Sequence, residues 1–274
     1  MSDGRRGSVK QVICIKWGTA FGPEYVNRLH AMVARNITPP FRLFCFTDDS
    51  TGLHPDIAIR PLPDFDYQAP VGTLGKWPKS RLWGDLGDVT GVVLFLDLDV
   101  IVTGDLDPFF TYGDPDDTVL GRNPTTPFEK MGQTSVYRMR VGKLAPLQQI
   151  FAADPQGIAD TYRFEQRFVT RNAPGGVLFW PRGWLAHFRL HCVPVFPLNY
   201  LIEPRIPRRA RIVMFPGSLN PPDAILGRWH ESDPVRTPLA HLRAAVNGER
   251  REGVIRHLRH YLRPTSWVAR LWKD

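Results

Sequence analysis

Short apolar runs and helical stripes alternate along the first hundred residues. Gln11 to Ile15 reads as a strand, and Pro23 with Glu24 then opens a helix whose apolar positions Tyr25, Val26, Leu29, Met32 and Val33 share one face. Pro39-Pro40 ends that helix. Phe41 to Phe46 makes a second strand that stops at Thr47-Asp48-Asp49, and Ile57 to Ile59 a shorter third. A loop rich in Pro and Gly from Pro61 to Gly75, long enough to be functional, and a short helix from Pro78 to Leu86 lead into Val92 to Leu96. Those five apolar residues run without a polar break, as a strand covered on both faces does. Past Phe110 the signals mix: Thr118 to Leu120, Ser135 to Met139 and Arg211 to Phe215 are strand-like, while Leu144 to Ala152 and Asp160 to Thr170 are helical. Strands alternating with helices predict an α/β domain over 8–230 around a central, mostly parallel sheet, with no internal repeat or flexible linker.

Residues 231–274 form a separate pattern. Val254, Ile255, Leu258, Tyr261 and Leu262 make a helical stripe flanked by Arg251, Arg256, Arg259 and Arg263; after Pro264, Trp267, Val268, Leu271 and Trp272 give a second apolar face. Arg228 to Asp274 holds ten Lys and Arg against five Asp and Glu. A basic amphipathic tail with tryptophans at its apolar edge suits an anionic membrane surface. The same stripe equally suits a terminal helix packed on the domain.

Composition narrows the class. The 274 residues are 43% apolar and 11% aromatic, enough for a sizeable core and far from a disordered chain. Cys14, Cys45 and Cys192 are widely spaced without metal-ligand spacing, which predicts reduced thiols. Arg5 and Arg6 precede an apolar run, Val12 to Ile15, too short for a signal peptide or a membrane span, so a cytoplasmic location is expected, with the tail at the inner membrane face. A net charge of +8 asks for anionic company, whether nucleic acid, membrane or a phosphorylated substrate.

The chemistry concentrates after the apolar run. Asp97 and Asp99 sit one residue apart, so on extended backbone both side chains point the same way and Leu98 the other. Paired carboxylates at a strand mouth repel unless a cation joins them, and hard ions such as Mg²⁺ and Mn²⁺ take one or two carboxylates plus substrate phosphates. The alternatives are a solvated strand end, or a haloacid-dehalogenase phosphohydrolase in which Asp97 is the nucleophile. In that fold the signature strand normally comes first. Gly72 to Lys76 resembles a Walker loop, but Trp77 stands where the hydroxyl residue belongs, and no GxGxxG, HExxH or GxSxG occurs.

Several segments together resemble the retaining GT-A-fold glycosyltransferases, the family of glycogenin and the bacterial lipopolysaccharide galactosyltransferases, over most of residues 10–225. They are Ile15-Lys-Trp-Gly-Thr19 with Phe21-Gly-Pro-Glu-Tyr25, Trp77-Pro-Lys-Ser-Arg-Leu-Trp83, Phe95 to Val102, Gly104 to Phe110, Gln133-Thr-Ser-Val-Tyr137 and Glu165-Gln166. The resemblance implies a metal-dependent enzyme that moves a sugar from a nucleotide-diphosphate donor to a glycan or lipid-linked acceptor, with Mn²⁺ or Mg²⁺ on Asp97 and Asp99 and no nucleic acid partner. It further implies that Ile15, Trp17 and Tyr25 receive the nucleotide, that Lys79 adds a positive charge, that Leu98 belongs to the donor-binding set, and that Thr134 and Ser135 line the donor-sugar pocket. Asp48 and Asp49 would reach the base or ribose, with a plain turn pair as the alternative.

By the same resemblance Glu165 and Gln166 lie near the anomeric carbon, with an exposed polar helix face as the alternative. For Lys79 the alternative is a solvated lysine. Trp180 and Trp184 either stack on a sugar or fill the core. One departure is plain: where the family carries His-Gly-x-x-Lys-Pro, this chain reads Pro216-Gly-Ser-Leu-Asn-Pro221, so Pro216 and Asn220 replace a metal-binding His and a phosphate-binding Lys. His230 is a candidate substitute ligand. A nucleotide- or glycan-binding relative with weakened catalysis is a third reading.

Overall fold

The computed structural model describes residues 9–64, 67–72, 76–126, 128–248 and 253–274. Arg5, Arg6, the middle of the Walker-like loop and Arg251 lie outside the described residues. The strands are β1 Lys10–Lys16, β2 Phe41–Thr47, β3 Ala58–Pro61, β4 Val92–Leu96, β5 Ile101–Val102, β6 Val119–Arg122, β7 Gly132–Arg140, β8 Leu178–Phe179, β9 Leu185–His187 and β10 Ile212–Met214. The helices are α1 Pro23–Arg35, α2 Asp107–Thr111, α3 Ala145–Ala153, α4 Pro155–Tyr162, α5 Glu165–Asn172, α6 Pro221–Leu226, α7 Pro238–Val246, α8 Val254–Arg259 and α9 Ser266–Leu271.

Two compact units result. The first holds the described residues up to His30, Ile37–Leu98 and Asp105–Pro181; the second holds Ala31–Asn36, Asp99–Gly104 and Arg182–Asp274. In the first, seven strands order as β3-β2-β1-β4-β7-β6-β8. Every pairing is parallel except those of β7, which runs antiparallel to β4 and β6. The apolar run behaves as its pattern requires: Val93, Leu94, Phe95 and Leu96 are all 0% exposed. Around this sheet a 3₁₀ turn, Trp77–Leu82, is locked by its aromatics, Trp77 lying flat against Phe151 of α3 at 4.8 Å and 9°.

Four expectations need correction. The helix drawn from Pro78 to Leu86 is the shorter 3₁₀ turn, which ends at Leu82. The helix drawn over Asp160 to Thr170 is two, because Arg163 takes φ 60° and Phe164 is extended, so α4 closes on the Arg163 N–H to Ala159 carbonyl bond and α5 starts anew. Asp97 and Asp99 do not share a strand: β4 stops at Leu96 and Leu98-Asp99 form a turn, so the two-residue pleat does not set their directions. Finally, the stripe in the tail is not one helix, since α8 ends at Arg259.

The last correction extends to burial in the second unit, where β5, β10 and β9 form a small sheet. Trp267 and Trp272 are 6% and 5% exposed, which withdraws them from any membrane surface, and Tyr261 and Leu262 are buried too. Trp267 donates its indole N–H to the Pro204 carbonyl at 2.9 Å, and the Thr265 N–H reaches the Ala224 carbonyl at 2.9 Å. Asn199 holds the Tyr261 carbonyl at 3.0 Å. These bonds tie the tail to residues 182–230 within the second unit. Among the described residues the exposed large apolar side chains of the tail are Val235, Leu239, Leu242 and Val246 before and on α7, and Val254 and Ile255 on α8, Ile255 at 69%. No helix among the described residues is long and apolar enough to cross a membrane.

Candidate active site

β4 delivers Asp97 to the carboxyl end of the sheet, and the 3₁₀ turn delivers Lys79 to meet it. Lys79 Nζ lies 2.6 Å from Asp97 Oδ1 and 2.8 Å from Oδ2. The lysine side chain is 7% exposed and the aspartate 19%, so the pair is nearly sealed from water, and the ammonium also lies 5.3 Å from the Phe95 ring centroid. A solvated lysine is ruled out by that burial. The Asp97 N–H bonds the Ser135 carbonyl at 2.8 Å, which joins the end of β4 to β7.

β7 contributes the next layer. Thr134 donates its hydroxyl to Glu165 Oε1 at 2.6 Å, and the Lys76 N–H reaches Glu165 Oε2 at 3.3 Å. Glu165, in the first turn of α5, is 5% exposed, so it is not part of an open polar face. The Ser135 N–H donates to Gln133 Oε1 at 2.6 Å, and the Gln133 amide returns a bond to the Ser135 hydroxyl. Gln166 follows on α5, half-buried, its carbonyl accepting the Thr170 hydroxyl at 2.6 Å. Lys79, Asp97, Thr134 and Glu165 are thus gathered into one cluster. A water-sized void lined by Lys79, Thr134, Glu165 and Tyr137 lies behind them.

Tyr137 was not assigned a role from sequence. Its ring stacks on Phe95 at 4.6 Å, its hydroxyl finds no partner among the described residues, and burial, then the charges of Asp97 and Glu165, push its acidity far out of reach.

Of the expected nucleotide residues, Trp17, Asp48 and Asp49 follow the carboxyl ends of β1 and β2, while Tyr25 lies in α1 and Leu98 in the turn after β4. Ile15 and Leu98 are buried at 3% and 4%, so their side chains serve the interior. Trp17 is half-buried, and Tyr25 packs its ring 4.6 Å from Phe21. Asp48 accepts the Gly18 N–H at 2.9 Å, and Asp49 caps Thr51, whose hydrogen bonds hold the Asp49 carboxyl below its usual range. Lys16, 3% exposed, reaches the Asp49 carbonyl at 3.1 Å. It escaped the sequence reading because it closes an otherwise apolar run, and that lone cation was the available signal.

Trp180 is 5% exposed, bonded to the Val136 carbonyl at 3.2 Å, and serves the core. In the second unit the Arg211 guanidinium lies 5.1 Å from the Trp184 ring centroid. The segment that departs from the family motif has a local job: the Asn220 N–H donates to Asp223 Oδ2 at 3.0 Å at the start of α6. Arg189 brings a cation to this segment, 3.3 Å from the Ser218 hydroxyl. His230 turns its Nδ1 to the Ser232 hydroxyl at 2.7 Å, and no group of three or more His, Cys, Asp or Glu able to hold a metal forms among the described residues.

The sequence matches no protein-family model and no curated protein. Solved structures do match. LgtC, a galactosyltransferase solved with donor and acceptor sugar analogs, superposes with a TM-score of 0.51 at 13% identity over 84% of this chain and 92% of its own. The fold is the GT-A glycosyltransferase fold. A second GT-A neighbour, the apo glycosyltransferase GlyE of Streptococcus pneumoniae TIGR4, gives a TM-score of 0.55 at 12% identity, over 97% of this chain and 65% of GlyE. The bifunctional WbbM gives 0.51 at 11% over 80% of this chain, which spans 48% of WbbM. At such identities the likeness is one of GT-A architecture.

Proposed function

We propose that this chain transfers a sugar, with retention, from a nucleotide-diphosphate sugar to a glycan or lipid-linked acceptor. The observation that carries the proposal is the sealed Lys79–Asp97 pair at the end of the central strand. When a sugar leaves a nucleoside diphosphate, negative charge builds on the departing phosphate, and a fixed cation in a dry site stabilises it without reorganisation. Lys79 is such a cation. Glu165 accepts two hydrogen bonds, so it enters the site as an oriented carboxylate facing Thr134, with Gln166 beside it to contact the sugar. The base and ribose fit the carboxyl edge near Trp17, Tyr25, Asp48 and Asp49, where α/β sheets take their ligands.

The donor chemistry suits Mn²⁺ or Mg²⁺. Asp97, 19% exposed beside Lys79, and Asp99 are the carboxylates that would hold the ion, carboxylate being the hard oxygen ligand it takes. When bound, the ion would add Lewis-acid neutralisation of the diphosphate. The absence of the motif histidine and lysine, with Asn220 spent at the start of α6, favours as a second reading a relative that binds donor but turns over slowly. We also propose attachment to the inner membrane face through the exposed end of α7 and start of α8, Val246, Val254 and Ile255 with Arg256 and Arg259 nearby.

The test is a panel of nucleotide sugars with and without Mn²⁺, read by release of nucleoside diphosphate. Slow hydrolysis of one donor, and none of phosphate monoesters, is expected. A beryllium fluoride adduct on Asp97 with phosphomonoester turnover would sink the proposal in favour of a phosphohydrolase.

A further inference from the structure

A cavity of about 280 Å³ lies within the second unit, between the loop that follows α6 and helices α7 and α8. Among the described residues its wall carries Arg228, Arg236 and the imidazoles of His241, His257 and His260, with Asp233 as the carboxylate. The polar groups are held in place. Arg228 donates its Nε–H to Asp223 Oδ1 at 2.6 Å, and the Asp223 side chain is 2% exposed, so the guanidinium is anchored from behind. His260 lies flat on Trp229 at 4.4 Å and 10°, which fixes the plane of its nitrogens. His241 and His257 stack at 3.9 Å and 8°. The Tyr200 hydroxyl meets His241 Nδ1 at 2.8 Å, and His257 Nε2 donates to the His241 carbonyl at 3.0 Å.

With Tyr200 donating, His241 carries its proton on Nε2. Burial first, then His257, Arg236 and His260, push His241 down to about 4, so at neutral pH it is an uncharged N–H donor beside the Arg236 guanidinium. Two of these ring nitrogens are spent on a hydroxyl and a backbone carbonyl and do not converge on a common point, which argues against a metal. The N–H donors that line the cavity come from three places: the guanidinium groups of Arg228 and Arg236 from the loop, His241 from α7 and His260 just past α8. A tetrahedral anion uses donors spread out of plane better than a flat carboxylate, and guanidinium groups match phosphate oxygens. The volume, at the low end for ligand sites, fits one phosphorylated monosaccharide and excludes an oligosaccharide.

We propose that this cavity is a binding site for a phosphate monoester, such as a phosphorylated sugar unit. Its lining shares no residue with the proposed transfer site, so its test needs no donor. Titration calorimetry with inorganic phosphate and with glucose 6-phosphate, in chelator-containing buffer of constant ionic strength, should show saturable binding. Acetate and glucose should bind at least tenfold more weakly. Arg236→Gln and His260→Gln should each weaken phosphate binding by tenfold or more with the circular dichroism unchanged. If one of them unfolds, the other decides. Arg243→Gln, exposed on α7 and outside the cavity, should leave the affinity as it was. The proposal is overturned if the wild-type chain shows no saturable phosphate binding, if acetate binds as well as phosphate, if neither cavity variant changes the affinity, or if Lys79→Ala removes the signal instead.

Discussion

Burying a lysine ammonium costs several kcal/mol unless a carboxylate meets it, and both oxygens of Asp97 meet Lys79. Lys79→Ala should therefore act twice. It removes the cation from the donor site, with an expected loss of at least 100-fold in kcat/KM, about 3 kcal/mol of transition-state stabilisation. It also leaves Asp97 with an uncompensated charge, which lowers the melting temperature. Lys79→Arg keeps the charge but replaces a point donor by a planar fork, so it should recover stability more fully than rate. Steady-state kinetics and melts on both variants separate the two effects. A second residue sets a pH limit. His187 is 6% exposed, and burial first, then His191 and Arg189, lower it from 6.5 to about 4. Because the folded value is depressed, the unfolded chain binds the extra proton between those values. Stability is then full above pH 6.5 and falls as pH drops toward 4, by about 3 kcal/mol from this residue. Denaturant melts across that window should show the slope, and His187→Leu should reduce it, with His241, also held down to about 4, supplying part of what remains.

Among elements, the break between α4 and α5 is the one most open to test. Arg163 at φ 60° occupies backbone that favours glycine, at a cost of about 1–3 kcal/mol, so Arg163→Gly should raise stability by about 1 kcal/mol after the added freedom of the unfolded chain is counted. A lower melting temperature in that variant would show that the Arg163 side chain holds the corner. The same break shows where sequence stops being informative. Val92 to Leu96 was legible because burial on both faces demands an unbroken apolar run, and Pro23–Arg35 because one face repeats every turn. Nothing in composition marks Arg163 for positive φ, since the turn is where Tyr162 and Phe168 meet edge-on at 5.0 Å, a contact only the fold supplies. The site divides in the same way. Lys79 and Asp97 could be found through motif likeness, while the Thr134–Glu165 bond joins residues 31 apart and follows only from the placement of α5 against β7. Asp99 was identified but its turn was not, because alternation cannot say where a strand ends.

For the whole molecule, the tail decides what experiments are informative. Removing residues after Asn247 takes away Tyr261, Leu262, Trp267, Val268 and Trp272, all buried, so that truncation should lose cooperative unfolding in the second unit. Gly227→Ala should act in the same direction, because its Cβ would fall 2.6 Å from the Pro264 nitrogen. Membrane attachment is better tested by Ile255→Glu, which removes an exposed apolar side chain and leaves the interior alone. Co-sedimentation with anionic vesicles should drop severalfold in that variant and fall with added salt in the native chain. Equal sedimentation of the two proteins would end the membrane proposal. The division of the chain also sets a schedule. Ala31–Asn36 and Asp99–Gly104 belong with a unit whose remaining residues begin at Arg182. A ribosome adds ~5–20 residues per second, so these early pieces emerge seconds before any partner exists for them. During that interval Ile101 and Val102, both buried in the finished protein, stand in water, and a nascent chain stalled before Arg182 is the form in which a chaperone would find them.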